Sequence, residues 1–160
     1  MTRSKSVGQI EFPFTSPDEL GQYLPYLFTR LSNRWSADQN TALAENGLHG
    51  AKLRVLSSLS AFGELTINQL SILSVTEQST TSRTVEQLVV AGLVERNILS
   101  TDQRIRTVNL TPTGKAALKE LSPKVNELYL NMVKGVSRDD LDTCVRVLGT
   151  LLQNVKNNQI

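Results

Sequence analysis

Apolar residues return every three or four positions over most of the chain, and polar or glycine-containing breaks divide them into segments. Ser16-Pro17-Asp18-Glu19 offers a capping hydroxyl, a proline suited to the first helical position and a glutamate three residues after the cap. Leu20, Leu24, Leu27 and Leu31 follow at helical spacing, so a first helix begins here. Pro25 falls inside the pattern and has no N–H to give, so it should kink that helix or move its true start. Gly47 and Gly50 bracket a break. Val55, Leu56, Leu59 and Phe62 then mark a second helix ending at Gly63. Glu64-Leu65-Thr66 suffices for a very short strand, and Ile67, Leu70 and Leu73 mark a third helix, too short to be stable unless packed. Thr81, Val85, Leu88 and Gly92 share one face of a fourth helix, for which Ser74-Val75-Thr76-Glu77 offers a capping box, with Ser74 or Thr76 as cap.

After Gly92 the rhythm changes. Residues 93–99 (LVERNIL) read as a strand, Ser100-Thr101-Asp102-Gln103-Arg104 as a polar tip, and Arg106-Thr107-Val108-Asn109-Leu110 as a half-buried return strand of alternating character. A hairpin directly behind two short helices is a wing. Helical spacing then resumes. Leu118, Leu121, Val125, Leu128 and Met132 form one seam, and Leu141, Val145, Leu148, Leu152 and Val155 a second, joined near Gly135-Val136-Ser137, with Pro123 expected to bend the first of the pair. The reading is a mostly α fold with a small β-hairpin wing, a winged helix-turn-helix flanked by N- and C-terminal dimerisation helices. Residues 1–15 form an N-terminal arm, 16–48 the first helix, 49–111 the DNA-binding region and 112–160 the C-terminal helices. The expected dimer interface is Leu20, Leu24, Leu128, Met132, Leu141, Leu148, Leu152 and Val155, because the seams exceed what so small a wing domain can cover.

Composition narrows the function more than it names it. With 39% hydrophobic and 20% charged residues, 160 residues suffice for one globular domain with appended helices. One cysteine and one histidine exclude an intrachain disulfide and leave no metal-ligand cluster, and no cofactor is expected. No Ser/His/Asp grouping or Gly-rich phosphate loop suggests an enzyme. Cys144 reads as a small core residue rather than a redox switch. The N-terminus lacks the apolar run of a signal peptide and no stretch suits a membrane span, so the expected location is cytoplasmic. Net charge is only +2, so any affinity for a polyanion depends on where the positive groups gather.

They gather suggestively. Between Lys52 and Lys115 every positive residue is an arginine: Arg54, Arg83, Arg96, Arg104 and Arg106. Arginine gives planar, directional contacts, whereas lysine is closer to a point charge. Opposite the apolar face of the fourth helix lie Thr76, Ser79, Thr80, Arg83 and Gln87. A helix that enters a major groove needs short side chains near its N-terminal end, because bulky ones hold the backbone away from the base edges. Ser79 and Thr80 meet that need, Arg83 reaches a guanine edge or a phosphate, and Thr76 and Ser82 sit where hydroxyls meet phosphates. At the wing tip Arg104 suits a narrow, electronegative minor groove, with Asp102 directing its guanidinium. Arg96 and Arg106 read as structural, paired with Glu95 or another carboxylate.

The run Gln78-Ser79-Thr80-Thr81-Ser82-Arg83, the later Ala91-Gly92-Leu93-Val94-Glu95-Arg96, the tip Asp102-Gln103-Arg104 and Leu110-Thr111-Pro112-Thr113-Gly114 together resemble the MarR family of winged-helix regulators. The order of elements is similar too, over residues 20–155. The resemblance implies a homodimeric transcriptional repressor that holds two recognition helices against a pseudo-palindromic double-stranded operator. It also implies a small phenolic or carboxylate ligand bound between the helical and winged parts. Tyr26, Arg30, Trp35, His49, Lys52 and Arg54 offer aromatic walls and cationic anchors for one. The rival reading is a winged-helix dimer that binds protein and has no operator.

Overall fold

The structure is a computed structural model and describes residues 12–98 and 106–155. Its element order is α1 (Pro17–Gly21), α2 (Leu24–Ala42), a 3-10 turn (Ala44–Asn46), α3 (Ala51–Phe62), β1 (Leu65–Thr66), α4 (Ile67–Leu73), α5 (Gln78–Val90), β2 (Val94–Ile98), β3 (Arg106–Leu110), α6 (Pro112–Met132) and α7 (Arg138–Asn154). The mostly helical class with a small antiparallel sheet is as expected. Two compact units divide the chain, the first ending at Thr41 and the second starting at Ala42. Among the described residues no helix is long and apolar enough to cross a membrane.

In the first unit the Ser16 hydroxyl accepts from the Glu19 amide at 3.2 Å and caps α1, with Pro17 at its start. Glu19 Oε2 accepts from both the amide and the hydroxyl of Thr15, each at 2.8 Å. Pro25 does move the helix start. It is the second residue of α2, where a missing N–H costs nothing, and α1 ends four residues earlier as a separate turn. The Phe14 and Tyr23 rings lie 4.9 Å apart.

The second unit is built on a three-stranded antiparallel sheet of order β1-β3-β2. Leu65 pairs with Val108 and Val94 with Leu110, which sends the apolar members of all three strands to one face. Onto that face pack Val55, Leu56 and Leu59 of α3, Leu70 of α4, and Val85 and Leu88 of α5, all at most 2% exposed. Thr66 caps α4 through a reciprocal capping box with Gln69, a Thr-x-x-Gln signal legible in the sequence and passed over there. A smaller cluster, Leu43, Leu53 and Leu121, joins α3 to α6. α6 runs through Pro123 without interruption.

Two expectations need correction. Ser74-Val75-Thr76-Glu77 does not cap α5: Ser74 is the C-cap of α4, and the α5 N-cap is Glu77, whose side chain makes no capping bond. Cys144 is not a core residue but exposed, because α7 buries none of its residues within this chain. An amphipathic helix whose apolar seam is uncovered cannot place its small residues in a core.

Candidate nucleic-acid interface

Helix α5 is a poor helix by propensity. Gln78–Val90 holds two serines, three threonines and three valines, each costing about 0.5 kcal/mol relative to alanine. Fully burying Val85 and Leu88 returns roughly 1.5–3 kcal/mol apiece, so packing holds the helix where propensity would not. Thr81 and Thr84 share the buried face, with their hydroxyls turned back to the carbonyls of Glu77 and Thr80 at 3.1 and 2.9 Å. The opposite face is open. Ser79, Thr80, Arg83 and Gln87 are exposed and Ser82 is half-buried. Among the described residues Arg83 has no ion-pair partner, so its guanidinium remains available. Small hydroxyls thus stand at the positive end of the helix dipole, with a cation one turn on.

Thr76 differs from what its position in the chain suggested. Its hydroxyl, expected to face phosphates, lies 2.9 Å from Ser74 Oγ and 2.7 Å from Thr81 Oγ1, and its amide donates to Ser71 O at 3.0 Å. It is engaged inward. Asp102 and Arg104 lie outside the described residues. Arg96 is structural, paired at 2.8 Å not with Glu95 but with Glu86 of α5, so it ties the wing to that helix.

The base of the wing is fastened by polar ladders. Thr107 donates to Glu64 Oε1 at 2.5 Å, Asn97 to Asn109 Oδ1 at 2.8 Å, and Asn109 to Glu95 Oε1 at 2.9 Å. Behind the wing, Thr111 Oγ1 accepts from the Gly114 amide at 3.0 Å and donates to Gly92 O at 2.7 Å. Gly114 packs directly on the Leu93 carbonyl. A Cβ there would stand 2.0 Å from that oxygen, and this is why the Leu-Thr-x-x-Gly junction needs its glycine.

The proposed ligand residues fall in different units. Tyr26, Arg30 and Trp35 lie on α2, with Arg30 5.6 Å over the Tyr26 ring, while His49, Lys52 and Arg54 belong to the second unit. His49 is exposed and Lys52 half-buried, and Arg54 Nε donates to Ser74 O at 2.6 Å. None of the six lines the cleft of about 280 Å³ between α3 and α6, whose walls include Leu53, Ser57, Leu118, Leu121, Val125 and Asn126. Of the expected interface residues, Leu20, Leu24, Leu128 and Leu141 are half-buried, and Met132, Leu148, Leu152 and Val155 are exposed.

Comparison with known proteins gives a consistent account. The model of the MarR family matches residues 50–105. A crystal structure of a MarR family transcriptional regulator from Silicibacter pomeroyi is 53% identical, covering 91% of this chain and 98% of that one, with a TM-score of 0.86. The HTH-type transcriptional repressor IacR of Pseudomonas putida is 24% identical over 131 residues, 82% of this chain and 78% of the relative. BpsR of Bordetella bronchiseptica, whose DNA binding is regulated by 6-hydroxynicotinic acid, shares the fold at 22% identity, covering 80% of this chain and 97% of that one, with a TM-score of 0.71.

Proposed function

The chain belongs to the MarR family of transcriptional regulators, and from that premise we propose that it is a homodimeric repressor of a pseudo-palindromic operator. The observation that carries the DNA reading is α5 itself. Its Thr81, Val85 and Leu88 are buried, and the face opposite them offers the short side chains of Ser79 and Thr80, with Gln87 and the available Arg83. Ser79 and Thr80 allow the backbone to approach base edges, Arg83 forms a bidentate contact with guanine or holds a phosphate, and Ser82 and Gln87 flank them. Thr76 serves from inside the turn. Arg104, directed by Asp102, takes the minor groove.

Dimerisation is supported by what α7 leaves uncovered. Val145, Leu148, Leu152 and Val155 are 70, 36, 58 and 65% exposed, an apolar stripe left uncovered among the described residues. Stripes of this kind mark association surfaces. A second copy would set the two α5 helices about 34 Å apart, one turn of duplex. Repression follows the IacR relative and steric exclusion at a promoter. Release by a small aromatic compound follows BpsR, and the α3/α6 cleft suits a ring with hydroxyl or amide partners.

Selection of bound duplexes from random DNA tests the whole reading. A two-fold symmetric consensus is expected, and Arg83→Ala should weaken discrimination at one base pair of each half-site by about 1–3 kcal/mol. If the wild-type chain selects no sequence, or Arg83→Ala binds DNA as before, the surface serves a protein partner and the operator reading fails.

A further inference from the structure

We propose that Arg54, Thr76 and Thr81 are positioning residues for DNA recognition: a buried chain of hydroxyls, anchored by a guanidinium, sets the direction in which α5 leaves the helix-turn-helix turn. The inference rests on the reading of α5 as the helix that meets DNA.

Ser74 and Thr81 are fully buried, yet both are polar, and Thr76 lies between them. Ser74 Oγ donates to Leu70 O at 2.6 Å, and contacts of 2.9 and 2.7 Å link it through Thr76 Oγ1 to Thr81 Oγ1. Thr81 Oγ1 also lies 3.1 Å from Glu77 O, which already accepts the Thr81 amide at 2.9 Å. Three hydroxyl protons therefore serve four contacts. The short contacts are all satisfied when Thr81 donates to Thr76, Thr76 to Ser74 and Ser74 to Leu70. In that order Thr81 gives, Thr76 and Ser74 each both accept and give, and each bond polarises the next.

This chain joins the last turn of α4 to the first turn of α5. On its other side Arg54 of α3 donates to the Ser74 carbonyl, placing a cation at the C-terminal end of α4, where the helix dipole favours one. Three helices thus meet at one serine. Apolar packing resists compression but tolerates sliding, whereas directed hydrogen bonds resist rotation as well. Base reading demands that Ser79, Thr80 and Arg83 be held within about 0.5 Å and 10–20° of productive geometry. A link two residues from Ser79 is placed to do that.

Thr81→Val keeps the shape of the side chain and removes the oxygen. The chain as a dimer is titrated with its selected duplex and with a random duplex, at several salt concentrations. Thr81→Val should weaken the selected duplex about tenfold, the effect of roughly one buried hydrogen bond. It should leave the random duplex and the salt slope unchanged, since no phosphate contact is lost. Thr81→Ser should restore affinity to within about twofold, because the donor returns. Arg54→Met, which acts on the same serine from the exposed side, should shift selectivity in the same direction and serves if Thr81→Val does not fold. Unchanged selectivity in the folded variants, an equal loss on both duplexes, or no rescue by serine overturns the proposal. Should the wild-type chain select no duplex, the DNA reading fails and the positioning claim is judged by amide exchange of the free protein. There Thr81→Val should speed exchange at residues 76–82 alone and Thr81→Ser should not, and a uniform or absent change overturns it.

Discussion

The chain enters and leaves α5 through two turns with the same hydrogen-bond pattern and opposite chemistry. At the exit, Gly92 has φ 70°, its amide donates to Val89 O and the Leu93 amide to Leu88 O, both at 2.9 Å. At the entrance, Val75 has φ 52°, its amide donates to Ile72 O at 3.2 Å and the Thr76 amide to Ser71 O at 3.0 Å. Both are Schellman endings, in which one left-handed residue satisfies the last carbonyls of a helix. Glycine adopts that conformation freely. A β-branched residue there is an outlier, at a cost of roughly 1–2 kcal/mol. The exit relies on backbone fit, with Gly114 seated on the Leu93 carbonyl and Thr111 bound to Gly92. The entrance accepts strain and is held by side-chain hydroxyls and Arg54. One end of α5 is therefore clamped by close backbone packing, and the other by side-chain groups whose hydrogen bonds can re-form.

The sharpest way to break this contrast is at the exit. Gly114→Ala places a carbon 2.0 Å from a backbone oxygen, which no rotamer relieves, so α6 must shift off β2. A loss of about 3 kcal/mol is expected, at the upper end for overpacking. Denaturant melts should show the midpoint falling with the slope unchanged. A loss below about 1 kcal/mol would mean that the junction is pliant and the two turns are not different in kind. Gly92→Val comes next. A Cβ at Gly92 meets nothing within 4 Å, so the penalty is that of the left-handed backbone, about 1–2 kcal/mol, less the roughly 0.4–1 kcal/mol by which valine restricts the unfolded chain.

The same contrast explains what could be read from the sequence. Helix faces, the wing strands and the break at Gly92 were legible because each is written in local periodicity or in a residue type with one conformational use. The 3.6-residue spacing of Thr81, Val85 and Leu88 put the right residues inside, and Ser79, Thr80 and Arg83 outside. The entrance was misread for the converse reason. Ser74 and Thr76 are good capping residues, and local rules assign them to the helix that follows. In the fold, Ser74 closes the helix before, its carbonyl accepts from Arg54, twenty residues back, and the Thr76 hydroxyl meets Thr81, five residues on. Nothing in a window of sequence marks a valine as left-handed. Cys144 failed differently: apolar spacing on α7 says that a face will be covered, but not whether the cover belongs to the same chain.

Val75→Gly is the smallest expected change and the one that most sharpens the comparison, because its sign should be opposite to that of Gly92→Val. Val75 is 82% exposed, so replacing it forfeits little burial. Removing the left-handed strain returns roughly 1–2 kcal/mol, and the freer unfolded chain takes back about 0.4–1. A net gain of about 0.5–1 kcal/mol remains, which raises the melting temperature by about 1–4 °C for a chain of this size. The gain should not carry over into operator affinity. On the positioning role proposed for Thr76 and Thr81, the direction of α5 depends on the hydroxyl chain, which glycine leaves in place. Differential scanning calorimetry beside duplex titration separates the two quantities. A stability that falls on Val75→Gly would show that valine sits comfortably at the entrance, and the distinction between a clamped exit and a strained entrance would go with it.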